Sequence, residues 1–268
     1  MSDLLLGKPI RQQILSSLSE RIAKGEKITG YVIYNEASFE AGAYAKLIGK
    51  LLTNLNQQVK EIIVKDALEA KKAIDEANRD PLGSVFLCRP LLFKEEKELI
   101  ELIHPEKDAD MLTSLNLGKL TKGNLDYLSG TSSSVRKILE YYHLDPKGQK
   151  ALIVGRSVSV GMPCALMMIK KDALVSVVHT KVEPEVISQL AKESTYIILA
   201  SGHRGLVKKE DIRPQQIIID CGYQEDGGGD LGFIPDCLAY TPVPGGVGPV
   251  TIAALAENAF KLLYGNEQ

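Results

Sequence analysis

The chain has 268 residues, 44% of them apolar and 25% charged, with a formal net charge of −2. That length suits two domains better than one core, and the composition is that of a globular protein. The charge balance speaks against nucleic acid as a partner, because phosphate binding rests on clustered Lys and Arg. No apolar run reaches the roughly 18 to 20 residues needed to cross a bilayer, so no membrane association is expected. Residues 1–7 hold three leucines and no basic leader, which is not the pattern of a secretory signal. Cys88, Cys164, Cys221 and Cys237 form no CxxC pair. They read as reduced thiols of a cytoplasmic protein, with no zinc site.

Apolar residues at helical spacing (Ile10, Ile14, Leu18, Ile22) predict an amphipathic opening helix. A short strand follows over 31–34, then a long helix over 39–55 with Ala41, Ala45, Ile48 and Leu52 along one stripe. Strands over 61–64 and 85–88 alternate with helices over 68–77 and 94–103. The second half repeats this grammar with more β-branched strands, over 151–154, 174–178, 196–199 and 217–220. Helices over 134–142, 160–169 and 183–190 lie between them, and a final helix spans 251–263. Such alternation implies an α/β fold with mostly parallel sheets. The apolar strands of the second half suit positions covered on both faces. The boundary falls near 120–124, and spacing alone leaves open which domain the last helix joins.

Residues Gly155-Arg156-Ser157-Val158-Ser159-Val160-Gly161-Met162-Pro163 follow a strand and open a helix. Gly155 permits a tight turn and Gly161 a close approach. A helix start offers unpaired N–H groups and a positive dipole end to a phosphate. The spacing is not the usual GxGxxG, but its context is that of a dinucleotide loop. Arg156 and Ser157 suit a 2′-phosphate, which a guanidinium can grip at two points. The strand ending at Val178 is where the ribose would be read. His179-Thr180-Lys181 supplies no acidic residue there, and Lys181 adds charge, so NADP is expected rather than NAD.

Three stretches resemble the methylenetetrahydrofolate dehydrogenase/cyclohydrolase (FolD) family. They are the closing Thr241-Pro242-Val243-Pro244-Gly245-Gly246-Val247-Gly248-Pro249, the loop just described, and His104-Pro105-Glu106-Lys107-Asp108-Ala109-Asp110. The resemblance covers essentially the whole chain. It implies a folate-binding α/β domain (1–120, joined by the last helix, 251–268) and a Rossmann-type NADP-binding domain (121–250), with a cleft between them. It implies hydride transfer from 5,10-methylenetetrahydrofolate to NADP, then hydration of the methenyl product to 10-formyltetrahydrofolate. Asp110 would accept hydrogen bonds from the pterin's amino group and ring N–H. Pro244, Gly245 and Gly246 would lie against substrate. Thr131 and Gly248 would join Gly155, Arg156, Ser157, Gly161 and Lys181 on the cofactor. Asp230 matches a loop aspartate of structural role, and a homodimer is implied.

The chain departs from the family pattern around the pterin. The family's first motif sets Tyr three residues after Ser and a catalytic Lys four after Tyr, on one helix face. Counting from Ser38 puts Ala41 and Ala45 at those positions. Lys46 lies one residue late, about 100° round a helix. A loop one residue longer would restore Lys46 as the catalytic amine, with Gly42 then at the Tyr position. Cys88 stands where the family has a Gln two residues before Pro, and Arg89 follows it. Met111-Leu112-Thr113 and Gly130-Thr131-Ser132 replace Gly-Phe-His and Cys-Thr-Pro. The expected enzyme is therefore an NADP-dependent dehydrogenase with its cyclohydrolase weak or absent. The alternative is a degenerate member that binds nucleotide or folate without turnover.

Overall fold

The computed structural model describes residues 2–224 and 226–265. The elements, in chain order, are β1 (Asp3–Leu4), α1 (Gly7–Ala23), β2 (Thr29–Tyr34), α2 (Phe39–Asn54), β3 (Gln58–Ile63), α3 (Ala67–Arg79) and β4 (Gly83–Leu87). They continue with α4 (Glu96–Glu101), α5 (Ser114–Thr121), α6 (Gly130–Tyr141), β5 (Lys150–Val154), α7 (Gly161–Lys170), β6 (Leu174–Val178) and α8 (Pro184–Glu193). Last come β7 (Tyr196–Leu199), β8 (Ile217–Asp220), β9 (Ala239–Tyr240) and α9 (Val247–Tyr264). The chain divides into two compact units, Gln13–Lys119 with Ile252–Gln268 and Met1–Gln12 with Leu120–Thr251.

The first unit is built on a parallel three-stranded sheet in the order β3-β2-β4. Central β2 and its neighbour β4 are buried at every position, whereas edge strand β3 keeps much of its length accessible. On one face Tyr31, Ile33, Val85 and Leu87 pack with Ala70, Ile74 and Ala77 of α3 and with Leu99 and Ile103. Helix starts are fixed by side-chain caps. Ser38 accepts from Ala41 N–H at 3.2 Å and Asp66 from Glu69 N–H at 2.8 Å. Residues 107–110 lie along the open side of β4, bonded through Val85 N–H to Lys107 O and Ala109 N–H to Val85 O.

The second unit carries a parallel six-stranded sheet in the order β1-β9-β8-β7-β5-β6. β7 and β8 are wholly buried, as their unbroken apolar runs require. The first twelve residues group with this unit instead of the first. The reason is β1, which pairs with β9, and Gly7 N–H, which donates to Gly245 O at 2.8 Å. β1 and β9 are two residues each, too short to show a period in the sequence. The division between units falls within α5, a helix the sequence pattern did not mark. The last helix begins at Val247, four residues before its expected start, and from Ile252 onward it groups with the first unit.

In each sheet the chain reverses its direction of travel across the sheet, beside β5 in one and β2 in the other. β5 lies between β6 and β7, and β2 lies between β3 and β4. Ligands of open α/β sheets bind beyond the carboxyl ends of strands at such reversals. The carboxyl ends of β5 and β7, and of β2 and β4, therefore define where each unit can work.

Lys107 holds the segment beside β4 in place. It is 6% exposed, and its ammonium donates to the carbonyls of Asp80, Pro81 and Gly83. Replacing it with Met would leave buried acceptors unpaired. Lys107→Met is expected to lower the free energy of unfolding by about 2 kcal/mol or more, measured by urea denaturation; an unchanged midpoint would contradict the role.

Candidate active site

At the carboxyl end of β5, Gly155 has φ +129°, and an added Cβ would sit 2.2 Å from the Ala200 carbonyl oxygen beyond β7. A Cβ on Gly161 would lie 2.3 Å from Gly155 O. No side chain fits at either point, so the turn, the start of α7 and the end of β7 close directly on one another. The start of α7 differs from expectation. Ser157 engages its first N–H groups: its Oγ accepts from Val160 at 3.2 Å and Gly161 at 3.3 Å, and its carbonyl from Met162 at 3.0 Å. The unpaired donors are instead the loop amides of Arg156, Ser157, Val158 and Ser159, which have no partner among the described residues. Arg156 and Ser157 are exposed, and so is Lys181 just beyond β6. What this loop presents at the strand end is thus four unpaired amides, an arginine and a hydroxyl beside the positive end of the α7 dipole.

The surrounding loops are tied by two aspartates. Asp230 accepts from Ser201 N–H at 2.9 Å, Ser201 Oγ at 3.0 Å, Gly202 N–H at 2.9 Å and Gln224 at 2.8 Å. Asp220 accepts from the N–H groups of Gly222, Asp230 and Leu231. Both are structural, as expected of Asp230. A cavity of about 400 Å³ opens beyond β8 and β9 between Asp220, Leu231, Phe233 and Val243. Its one arginine, Arg204, is paired bidentately with Asp226 at 2.7 and 2.8 Å and donates to Gly229 O. It offers no free cation to a phosphate.

The Pro/Gly loop is fixed by backbone. Gly245 has φ +116°, Gly246 N–H donates to Pro242 O at 2.7 Å, and a Cβ on Gly246 would meet Thr241 at 2.5 Å. Pro244 is exposed and follows a cis peptide. Gly248 differs from these. It lies exposed in the first turn of α9, and an added Cβ meets nothing within 4 Å. The chain's own packing does not require glycine there. Thr131 is half-buried in the first turn of α6, whose cap is Ser129.

In the first unit the site forms around Asp110. Asp108 pairs with Val85, and the turn that follows, closed by Met111 N–H donating to Asp108 O at 3.0 Å, carries Asp110 at the side of β4. Burial raises its pKa to about 7; the Asp108 carboxylate adds to the rise and Arg89 opposes it. No described residue donates a hydrogen bond to its carboxylate. Asp108, by contrast, accepts from Thr113 N–H at 2.8 Å and Asn116 at 3.1 Å. Tyr44 of α2 completes the surround: burial, then Asp110, raise its pKa, with Cys88 and Arg89 also acting on it.

Two sequence expectations change here. Ala41 and Ala45 are fully buried, and Lys46 projects from the exposed face of α2. The groups that act on Asp110 are Asp108 and Arg89, with no lysine among them. Ser38 caps the helix directly, which sets the register that leaves Lys46 exposed. Cys88 is 0% exposed, and burial, then Asp110 and Glu61, push its thiol far above its ordinary range. It packs beneath the site as a neutral thiol and does not line it. Tyr44 lies six residues after Ser38 and fits no position of the family motif, so its place beside Asp110 is visible only in the fold.

The sequence model of the tetrahydrofolate dehydrogenase/cyclohydrolase NAD(P)-binding domain matches residues 129–266. The bifunctional protein FolD 2 of Lactobacillus johnsonii is 33% identical over 97% of this chain and 96% of its own length. The chain belongs to the tetrahydrofolate dehydrogenase/cyclohydrolase family. Its fold agrees with the FolD dehydrogenase/cyclohydrolase of Campylobacter jejuni at a TM-score of 0.90 and 29% identity, covering 98% of this chain and 99% of that one. It also agrees with the Trypanosoma brucei FolD enzyme, solved with NADP cofactor and an inhibitor, at a TM-score of 0.90 and 25% identity over 98% and 97%. The family's nucleotide unit is thus retained in this chain.

A carboxyl whose folded pKa is raised favours the protonated native state. Stability therefore falls as pH rises from about 4 to about 7, where the unfolded chain is ionised first. Asp110→Asn removes that penalty. It is expected to raise the melting temperature at pH 8 relative to wild type by the equivalent of about 1.4 kcal/mol or more, one pKa unit, and to change little at pH 4. Equal shifts at both pH values, followed by calorimetry, would contradict this.

Proposed function

We propose that the protein is an NADP-dependent 5,10-methylenetetrahydrofolate dehydrogenase with little or no cyclohydrolase activity. The observation that carries this is the turn after β5, whose free amides sit beside Arg156 and Ser157. Those groups, with Lys181, would hold the phosphates, and Thr131, Gly161 and Gly248 would leave room for the dinucleotide. Asp110 would take the pterin's amino group and ring N–H, and Pro244, Gly245 and Gly246 would bound the substrate. When bound, NADP supplies the hydride acceptor. The methylene carbon loses hydrogen with its electron pair, and the product is the methenyl cation. That step moves no proton, so the chain needs no acid or base; orientation suffices.

Hydration of the methenyl cation is different. Water must lose a proton as it adds, which calls for a tuned group beside the reacting carbon. The residues around Asp110 provide none of the family's Lys–Gln chemistry: buried Ala45 and Cys88 occupy those positions. We further propose a homodimer in the cytoplasm. Supporting this are edge strand β6, which pairs with β5 alone and exposes Leu174 and Val177, and four unpaired cysteines suited to a reducing compartment.

Purified protein should form NADPH when 5,10-methylenetetrahydrofolate is added, followed at 340 nm, and should hydrolyse methenyltetrahydrofolate no faster than buffer does. Folate-dependent NADPH formation absent at high protein concentration would leave the binding-only reading. In sedimentation, charges placed at Leu174 and Val177 should convert a dimer to monomer.

A further inference from the structure

Arg89 is the residue at this site that the function has not absorbed. It follows β4 directly, at a cis bond to Pro90. The loop it opens is pinned on both sides: Asn35 beyond β2 donates to Leu91 O at 2.8 Å, and Leu91 N–H donates to Glu96 at 2.6 Å. The other oxygen of the same Glu96 carboxylate lies 3.6 Å from Arg89 Nη1. Glu96 therefore fixes the loop backbone and faces the guanidinium at once. At 3.6 Å that pairing is electrostatic and not a hydrogen bond. The guanidinium makes no hydrogen bond to any described residue.

The pairing of Asp108 with Val85 brings the turn that carries Asp110 to the side of β4, past whose end Arg89 lies. That turn is closed by Met111 N–H donating to Asp108 O at 3.0 Å. Arg89 also acts electrostatically on both Asp110 and Tyr44. Two half-buried groups with complementary, unengaged hydrogen-bonding capacity thus stand side by side. One is a carboxylate that only accepts, the other a planar fork that only donates.

That pair matches one edge of a 2-amino-4-oxo pteridine, which presents an amino donor, a ring N–H donor and a carbonyl acceptor in a row. We propose that Arg89 is a substrate-binding, specificity-determining residue that donates to the ring's 4-oxo group while Asp110 accepts from its 2-amino group and ring N–H. The inference rests on the folate reading given above. It gives the chain a reader of the 4-position made from a residue outside the family's motif. A 4-amino ring would set donor against donor at that point, and sites built to hydrogen-bond a ligand reject analogues that leave their groups unpaired.

The test uses the intact protein, wild type and Arg89→Met and Arg89→Lys, titrated by anaerobic calorimetry with tetrahydrofolate and with its 4-amino analogue. Wild type should prefer the 4-oxo ring by about 10- to 100-fold, the worth of a charged hydrogen bond. Arg89→Met should cut that preference by about tenfold, chiefly by weakening the 4-oxo ligand and leaving the part that Asp110 reads at the ring N–H, which a 4-amino ring lacks; Arg89→Lys should keep more of it. A purely structural role would weaken both ligands together and leave their ratio unchanged, which would overturn the proposal while the folate reading stood. Binding of neither ring by wild type would remove the folate reading and the proposal with it.

Discussion

The nucleotide unit depends on a close approach of backbones at Gly155 and Gly161. With no Cβ at either position, the turn after β5 packs against Ala200 on one side and the first residue of α7 on the other. Everything useful in that region follows. The turn lifts the loop 156–159 clear of the sheet with its amides unpaired, and it lets Ser157 reach back to cap the helix. Asp230 and Asp220 then bind the neighbouring loops to the same sheet end. A single side chain at 155 or 161 would push these apart, which is why the loop has glycine at both points.

The other unit uses the same topology for a different purpose. Its sheet is only three strands wide, and residues 107–110 extend it on the side of β4. Lys107 anchors that extension from below through three carbonyls. Asp108 is satisfied within it, and Asp110 at its end is not. Holding an enclosed carboxylate without donors costs stability, and such costs gather where ligands bind. Arg89 offsets part of the cost by charge alone. The two aspartates are two residues apart in sequence, and their different surroundings divide structure from function between them.

Much of this was legible in the sequence. The strand–helix alternation fixed both parallel sheets, because buried parallel strands must be short apolar runs. The turn at Gly155 and the cation at Arg156 could be located from type and spacing, and the carboxylate of Asp110 from the family resemblance. Three things could not. β1 and β9 are too short to carry a pattern, and they draw the first residues into the second unit. The exposed orientation of Lys46 turned on one residue of helix register, which Ser38 sets by capping. The helix amides at α7 looked free in sequence, yet Ser157, named for a phosphate, already engages them. Side-chain capping and register are decided by local geometry that a motif does not encode.

The account's central claim is that the turn after β5 is a working site for a 2′-phosphorylated dinucleotide. Titration of the intact chain with NADPH and NADH, followed by the emission of the reduced nicotinamide, tests it directly. Saturable binding with NADPH favoured by about tenfold or more, the scale of a charged hydrogen bond, is the predicted result. No saturable signal, or equal affinity for the two, would contradict it.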